Sequence, residues 1–143
     1  MLKFSLVGER QQSTAMSDKP RVLYIEDNPD NRLLVQRVLK SEGYEVIPAA
    51  SAAEGLELAA TGQPVAILVD INMPEMDGYT LTSELRKITQ LNHVPIIALT
   101  ANVMKGDREK TLAAGCDGYI QKPIDVDQFP KQLARFIEEA KTP

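Results

Sequence analysis

Three carboxylates, a hydroxyl and an ammonium stand out because each closes or follows a short apolar run. Glu26-Asp27 follow Arg21-Val-Leu-Tyr-Ile25, Asp70 follows Val65-Ala-Ile-Leu-Val69, Thr100 closes Pro95-Ile-Ile-Ala-Leu99, and Lys122 follows Gly118-Tyr-Ile-Gln121. An apolar run that ends in a polar residue reads as a buried strand meeting a loop, and ligands of open α/β sheets bind outside such strand ends. If the strands are parallel, all of these side chains arrive at one edge. Adjacent carboxylates repel unless a cation or a donor offsets them, and one lysine does not offset three acids. A hard divalent cation does, and Mg²⁺ suits carboxylates, a carbonyl and retained waters. What remains has the parts of a phosphoryl site. Lys122 would neutralise one phosphoryl oxygen, Thr100 would hydrogen-bond a second, the cation would take the third, and Asp70 would be the nucleophile that forms an acyl phosphate.

Taken singly, each residue has a plainer explanation. Asp27 or Asn28 suits a helix N-cap, although a cap calls for one acid and not two. Thr100 suits a strand-end cap, Tyr119 ordinary core, and Lys122 a solvated surface. His93, near a helix end before Pro95, and Cys116, small and part-buried beside Gly115, are assigned no chemistry. Only the joint placement at converging strand ends favours a site.

The elements that must position these residues alternate regularly. Asp30 to Glu42 predicts an amphipathic helix with Leu34, Val35, Val38 and Leu39 on one face, stopped by Gly43. Tyr44 to Ile47 predicts a second strand, placed at an edge by Pro48. Ser51 to Ala60 is a helix with Leu56 and small residues inward, and Asp77-Gly78 turns into a third helix carrying Leu81, Leu85 and Ile88. A largely polar helix spans Asn102 to Ala114 and closes at Gly115. The last helix opens at Asp125, with Val126, Phe129, Leu133, Phe136 and Ile137 on one stripe; Asp125 and Gln128 have capping-box spacing. Pro130 is tolerated in a first turn and costs about 3 kcal/mol in a helix interior, which favours a late start with Asp127 as the cap. Five strand–helix pairs predict a doubly wound, five-stranded parallel α/β sheet with helices on both faces. In the order 2-1-3-4-5, strands one and three flank the switch point and bring the acids together.

Composition narrows the classes. A chain of 143 residues predicts one domain over residues 21–143, behind a loose tail over residues 1–20 in which Met16 is an alternative start. A net charge of −4 counts against a general nucleic-acid binder. The single cysteine excludes an intramolecular disulfide and fits a reducing compartment. No apolar run approaches a membrane span, and Leu2 to Val7, broken by Lys3 and Ser5, is too weak for a signal peptide. The expected location is the cytoplasm.

Three strings, Tyr24-Ile-Glu-Asp-Asn28, Asp70-Ile-Asn-Met-Pro-Glu-Met-Asp-Gly78 and Leu99-Thr-Ala-Asn-Val-Met-Lys-Gly-Asp107, occur in order. With them the chain resembles the receiver domain of bacterial two-component response regulators, from about Arg21 to Glu139. The resemblance implies a flavodoxin-like (βα)5 fold with strand order 2-1-3-4-5. It assigns Asp70 as phosphoacceptor and Glu26-Asp27 as the Mg²⁺-holding pair, Asp27 directly and Glu26 mostly through water. Glu26 stands where the family often has Asp. The backbone carbonyl of Asn72 completes the metal shell, Thr100 and Tyr119 are the switch hydroxyl and aromatic, and Lys122 precedes a cis-proline, Pro123. Asn72 and Asn102 flank the site and would tune the phosphoryl lifetime. The implied partners are a sensor histidine kinase or histidine phosphotransfer protein and a downstream protein target, with homodimerisation possible on activation. The implied chain is not an enzyme; it assists only its own phosphorylation and dephosphorylation. The fourth helix, fifth strand and fifth helix would form the readout face, with Lys105, Arg108 and Lys110 on it, and Met73, Pro74 and Met76 a docking rim for the kinase.

Only four residues follow Glu139, so the expectation is a single-domain regulator without a DNA-binding domain, similar to chemotaxis and cell-division receivers. The alternative is a phosphorelay intermediate or a receiver excised from a hybrid histidine kinase. Two other classes fit less well. An aspartate-nucleophile phosphatase wants a second Asp two residues after the first, where Asn72 stands and cannot donate a carboxyl proton. A flavin binder wants a Ser/Thr/Gly-rich loop after strand one, where Glu26-Asp27-Asn28-Pro29 would repel the flavin phosphate.

Overall fold

The computed structural model describes residues 19–73, 76–101 and 105–141. Strands β1 (Arg21–Ile25), β2 (Glu45–Ala49), β3 (Ala66–Asp70), β4 (Ile96–Thr100) and β5 (Gly118–Gln121) alternate with helices α1 (Pro29–Ser41), α2 (Ala52–Thr61), α3 (Gly78–Arg86), α4 (Lys105–Ala113) and α5 (Phe129–Lys141). All strand pairings are parallel, in the order β2-β1-β3-β4-β5, as expected. β3 and β4 are buried along their whole length, which is why they read as unbroken apolar runs.

Side chains alternate across a strand, so the sheet separates two cores. Leu23, Ile25, Ile67, Val69, Ile96 and Ala98 pack with α2 and α3 residues such as Ala59 and Leu85. Val22, Tyr24, Ala66, Leu68, Leu99 and Ile120 pack with Val35 and Leu39 of α1 and Phe129 and Leu133 of α5. The alternation puts Asp70, the last residue of β3, and Glu26 and Lys122, one step beyond β1 and β5, on the α1/α5 side. Thr100, in phase with Ile96 and Ala98, falls on the other side. The register aligns Ile25 with Val69, so the residues that follow, Glu26 and Asp70, are neighbours.

Local hydrogen bonds account for the helix starts. Asn28, not Asp27, caps α1: its side chain accepts from Asn31 N at 3.0 Å with Pro29 at the first helical position, leaving Asp27 uncommitted as a cap. Ser51 caps α2 and Asp77 caps α3. After β3 the chain folds back, and Gly78 N donates to Ile71 O at 2.9 Å. A Cβ on Gly78 would lie 2.7 Å from Ile71 Cα, so this return admits only glycine.

Several expectations need correction. β2 runs on through Pro48 to Ala49, tolerable because β2 is an edge strand. α5 does start late, with Pro130 in its first turn, but Asp127 is not its cap. Asp125 Oδ1 instead accepts from Asp127 N at 2.9 Å and Gln128 N at 3.2 Å, a local turn that precedes the helix. This turn leaves Val126 49% exposed, off the buried stripe. Leu34, expected inside, is 41% exposed because it sits at the border of the α1 stripe, beside Pro123 and Ile124. The start of the fourth helix expected at Asn102 lies outside the described residues, as do residues 1–18 of the tail expected over residues 1–20. Among the described residues no helix is long and apolar enough to cross a membrane. Cys116 is buried and His93 exposed, as expected.

Candidate functional site

The carboxyl ends of β1 and β3 bring the predicted acids together: a carboxylate oxygen from each of Glu26, Asp27 and Asp70 lies within 4.8 Å of the others. Glu26 and Asp70 are buried, whereas Asp27 is exposed at the mouth. Lys122, arriving from the end of β5, places its Nζ 2.9 Å from Asp70 Oδ1 and 3.5 Å from Glu26 Oε1. Its backbone is anchored from below, since Lys122 N donates to Thr100 O at 2.8 Å; the Lys122–Pro123 bond that follows is cis. Thr100 is buried at the end of β4, and Asn72, exposed, donates its N–H to Asp70 Oδ1 at 3.3 Å.

The electrostatics follow from crowding. Burial, then the hydrogen bond and charge of Asp70, push the Glu26 carboxyl above the usual carboxylate range. Burial works to lower the Lys122 ammonium, but the hydrogen bond and charge of Asp70, joined by Glu26, outweigh it and raise the group. Three formal negative charges against one ammonium leave a deficit of positive charge that a divalent ion would fill. The donors are all hard carboxylate oxygens, with the Asn72 carbonyl adjacent in sequence to this edge, so the residues present fit Mg²⁺.

Other predicted residues are less central. Tyr119 lies half-buried on β5, its ring 5.7 Å from the Arg108 guanidinium of α4. Arg108 and Lys110 are exposed. Met73 is buried in the α2/α3 core and cannot form a docking rim, because the fold-back after β3 turns it inward; Met76 packs partly against the same core. Pro74, Asn102 and the Lys105 side chain lie outside the described residues.

Residues that the spacing did not single out hold Glu26. Tyr24 Oη donates to Glu26 Oε1 at 3.1 Å, Asn31 Nδ2 donates to the same oxygen at 3.2 Å, and Arg32 donates to the Glu26 carbonyl at 2.7 Å. The signal for Tyr24 was available: two residues before Glu26 on one strand, it must share its face. Tyr24, Asn31, Leu34, Lys122, Pro123 and Ile124 also line a cavity of about 150 Å³ beside the site.

Comparison with known proteins identifies the family and the fold. The model for the response regulator receiver domain matches residues 22–134. The polar-differentiation response regulator DivK of Brucella ovis is 40% identical over 119 residues, covering 83% of this chain and 97% of the relative. Among solved structures, the chemotaxis protein CheY4 of Vibrio cholerae aligns with a TM-score of 0.80 at 30% identity, over 82% of this chain and 98% of that one. The receiver domain of a Pseudomonas aeruginosa sensor histidine kinase, solved with a magnesium ion coordinated in its active-site cleft, aligns with a TM-score of 0.77 at 38% identity, over 84% of this chain and 98% of that one. The chain belongs to the response regulator receiver domain family, the signalling modules of two-component systems.

Proposed function

We propose that Asp70 accepts a phosphoryl group, in a Mg²⁺-dependent reaction, from the phosphohistidine of a sensor histidine kinase or histidine phosphotransfer protein. The observation that carries this reading is the Lys122 ammonium, 2.9 Å from Asp70 within an acidic cluster still short of positive charge. Glu26, Asp27, Asp70 and the Asn72 carbonyl would hold the ion, which when bound cancels charge on a phosphoryl oxygen. An Asp70 carboxylate oxygen attacks phosphorus in line. The P–N bond breaks, its electron pair stays with the imidazole, and an acyl phosphate is left on Asp70. Lys122 neutralises one phosphoryl oxygen and Thr100 donates a hydrogen bond to another.

The displacement of Thr100 toward the phosphate leaves space for Tyr119 to turn inward, and both bias a two-state face built from α4, β5 and α5 toward a downstream protein or a second copy of the chain. Exposed Leu33 and Leu34 on α1, with Ile124 next to Lys122 across the cavity, supply the apolar rim for the phosphodonor in place of Met73. The test is intact mass after incubation with acetyl phosphate, with and without Mg²⁺. A Mg²⁺-dependent gain of one phosphoryl group that is absent in Asp70→Asn supports the reading; equal labelling of Asp70→Asn overturns it.

A further inference from the structure

We infer that Tyr24 and Asn31 are positioning residues for the cation site: together they fix the Glu26 carboxylate so that Oε2 is the oxygen presented to a divalent ion. The inference rests on the proposed Mg²⁺ role of this cluster and extends it to two residues outside the acidic set. A carboxylate oxygen has two lone pairs. Glu26 Oε1 meets three donors, Tyr24 Oη at 3.1 Å, Asn31 Nδ2 at 3.2 Å and Lys122 Nζ at 3.5 Å. Among the described residues, the N–H that Oε2 accepts is that of Asn28, at 3.3 Å; Asp70, the other group that hydrogen-bonds the Glu26 carboxyl, belongs to the cation cluster itself. Acceptor capacity therefore remains on Oε2.

Both new donors are themselves held. The Tyr24 ring is fully buried in the α1/α5 core, so its hydroxyl has a fixed origin. The backbone of Asn31 is pinned by the α1 cap, whose Asn28 Oδ1 accepts from Asn31 N. Their chemistry also suits the task. A hydroxyl and a carboxamide are neutral, so they orient a buried carboxylate without cancelling the negative charge that attracts a cation; a lysine or arginine at either place would cancel it. The length of Glu26 is part of the device. An aspartate would withdraw its carboxylate by roughly one C–C bond, about 1.5 Å, beyond hydrogen-bond reach of the Tyr24 hydroxyl.

The experiment is Mg²⁺ titration by calorimetry on the full chain without phosphodonor, comparing Tyr24→Phe, Asn31→Ala, Glu26→Asp and the double variant Tyr24→Phe/Glu26→Asp. Removing a group that orients a metal ligand costs about 10-fold or more in affinity. Tyr24→Phe and Asn31→Ala should each weaken Mg²⁺ binding by about that factor. In the Glu26→Asp background, Tyr24→Phe should have almost no effect, because the hydrogen bond is already gone. A merely structural Tyr24 would give equal losses in both backgrounds, and that result overturns the inference. So does unchanged affinity in Tyr24→Phe while the unsubstituted chain binds Mg²⁺. Failure of the unsubstituted chain to bind Mg²⁺ overturns the metal reading itself, and this inference with it.

Discussion

Replacing Lys122 with alanine should destabilise the chain in a way that Mg²⁺ repairs. The ammonium sits 2.9 Å from Asp70 and 3.5 Å from Glu26 and is 24% exposed. At an effective dielectric constant of about 20, each attraction amounts to roughly 5 kcal/mol before desolvation is subtracted. Removing one partner of a largely buried ion pair leaves the other charges uncompensated, a loss of about 3–5 kcal/mol; partial exposure of the lysine places this case near the lower end, about 3 kcal/mol. For a domain of this size that lowers the thermal midpoint by roughly 10–15 °C. The assay is thermal unfolding by circular dichroism, in chelator and in millimolar Mg²⁺. The deficit should shrink with the ion present, since the variant cluster is more negative by one charge. It should also shrink with falling pH. Burial, and then Asp70, already raise the Glu26 carboxyl above its unfolded value, so Glu26 contributes stability that is present at low pH and lost as pH rises through the raised value. Without Lys122 that window widens upward. A midpoint in chelator within 2 °C of the unsubstituted chain, or a deficit indifferent to Mg²⁺, would refute the charge argument.

Asp27→Ala should abolish the Mg²⁺ dependence of labelling with little change in thermal midpoint, because Asp27 is exposed and does not cap α1; calorimetry and unfolding separate the two effects. Arg86 donates to the carbonyls of Gly115, Leu91 and Val94, each at 2.9 Å, tying α3 to the loops before β4 and β5. Its replacement by alanine should cost about 3 kcal/mol in urea unfolding while leaving acetyl phosphate labelling intact. Leu34→Asp should suppress transfer from a phosphorylated histidine protein yet leave labelling by acetyl phosphate unchanged, and equal loss of both would count against an apolar docking rim on α1.

What the chain disclosed about itself depended on how local the cause was. β3 and β4 were legible because strands covered on both faces leave no polar alternation, and the abrupt change to Asp70 and Thr100 marks where each strand ends. Pro130 was equally decisive for the late start of α5, since a missing N–H is an intrinsic property. The Asp125–Gln128 pairing before α5 was legible from its spacing, but the choice of Asp125 over Asp127 was not: the two offer the same chemistry, and only the folded turn gives both N–H groups to Asp125. Leu34 misled because a helix stripe has borders, and whether a border position is covered depends on the β5–α5 loop. Met73 misled because the return of the chain at Gly78 is a three-dimensional event. Tyr24 was passed over for a different reason. Its ring belongs to the core and its hydroxyl to Glu26, and although the alternation puts both residues on one face, a core aromatic draws attention to its ring alone.

The partition of the sheet has a consequence for how such a module can diversify. Asp70, Glu26 and Lys122 stand in phase with the α1/α5 core, while Thr100 stands in phase with the α2/α3 core. Under the proposed function, the geometry for phosphoryl capture and the hydroxyl proposed to respond to it thus rest on separately packed foundations. Repacking around Val35 and Leu133 would retune capture, and repacking around Ala59 and Leu85 would retune response. Two rates can drift apart through distant, conservative substitutions, with every reacting residue left in place.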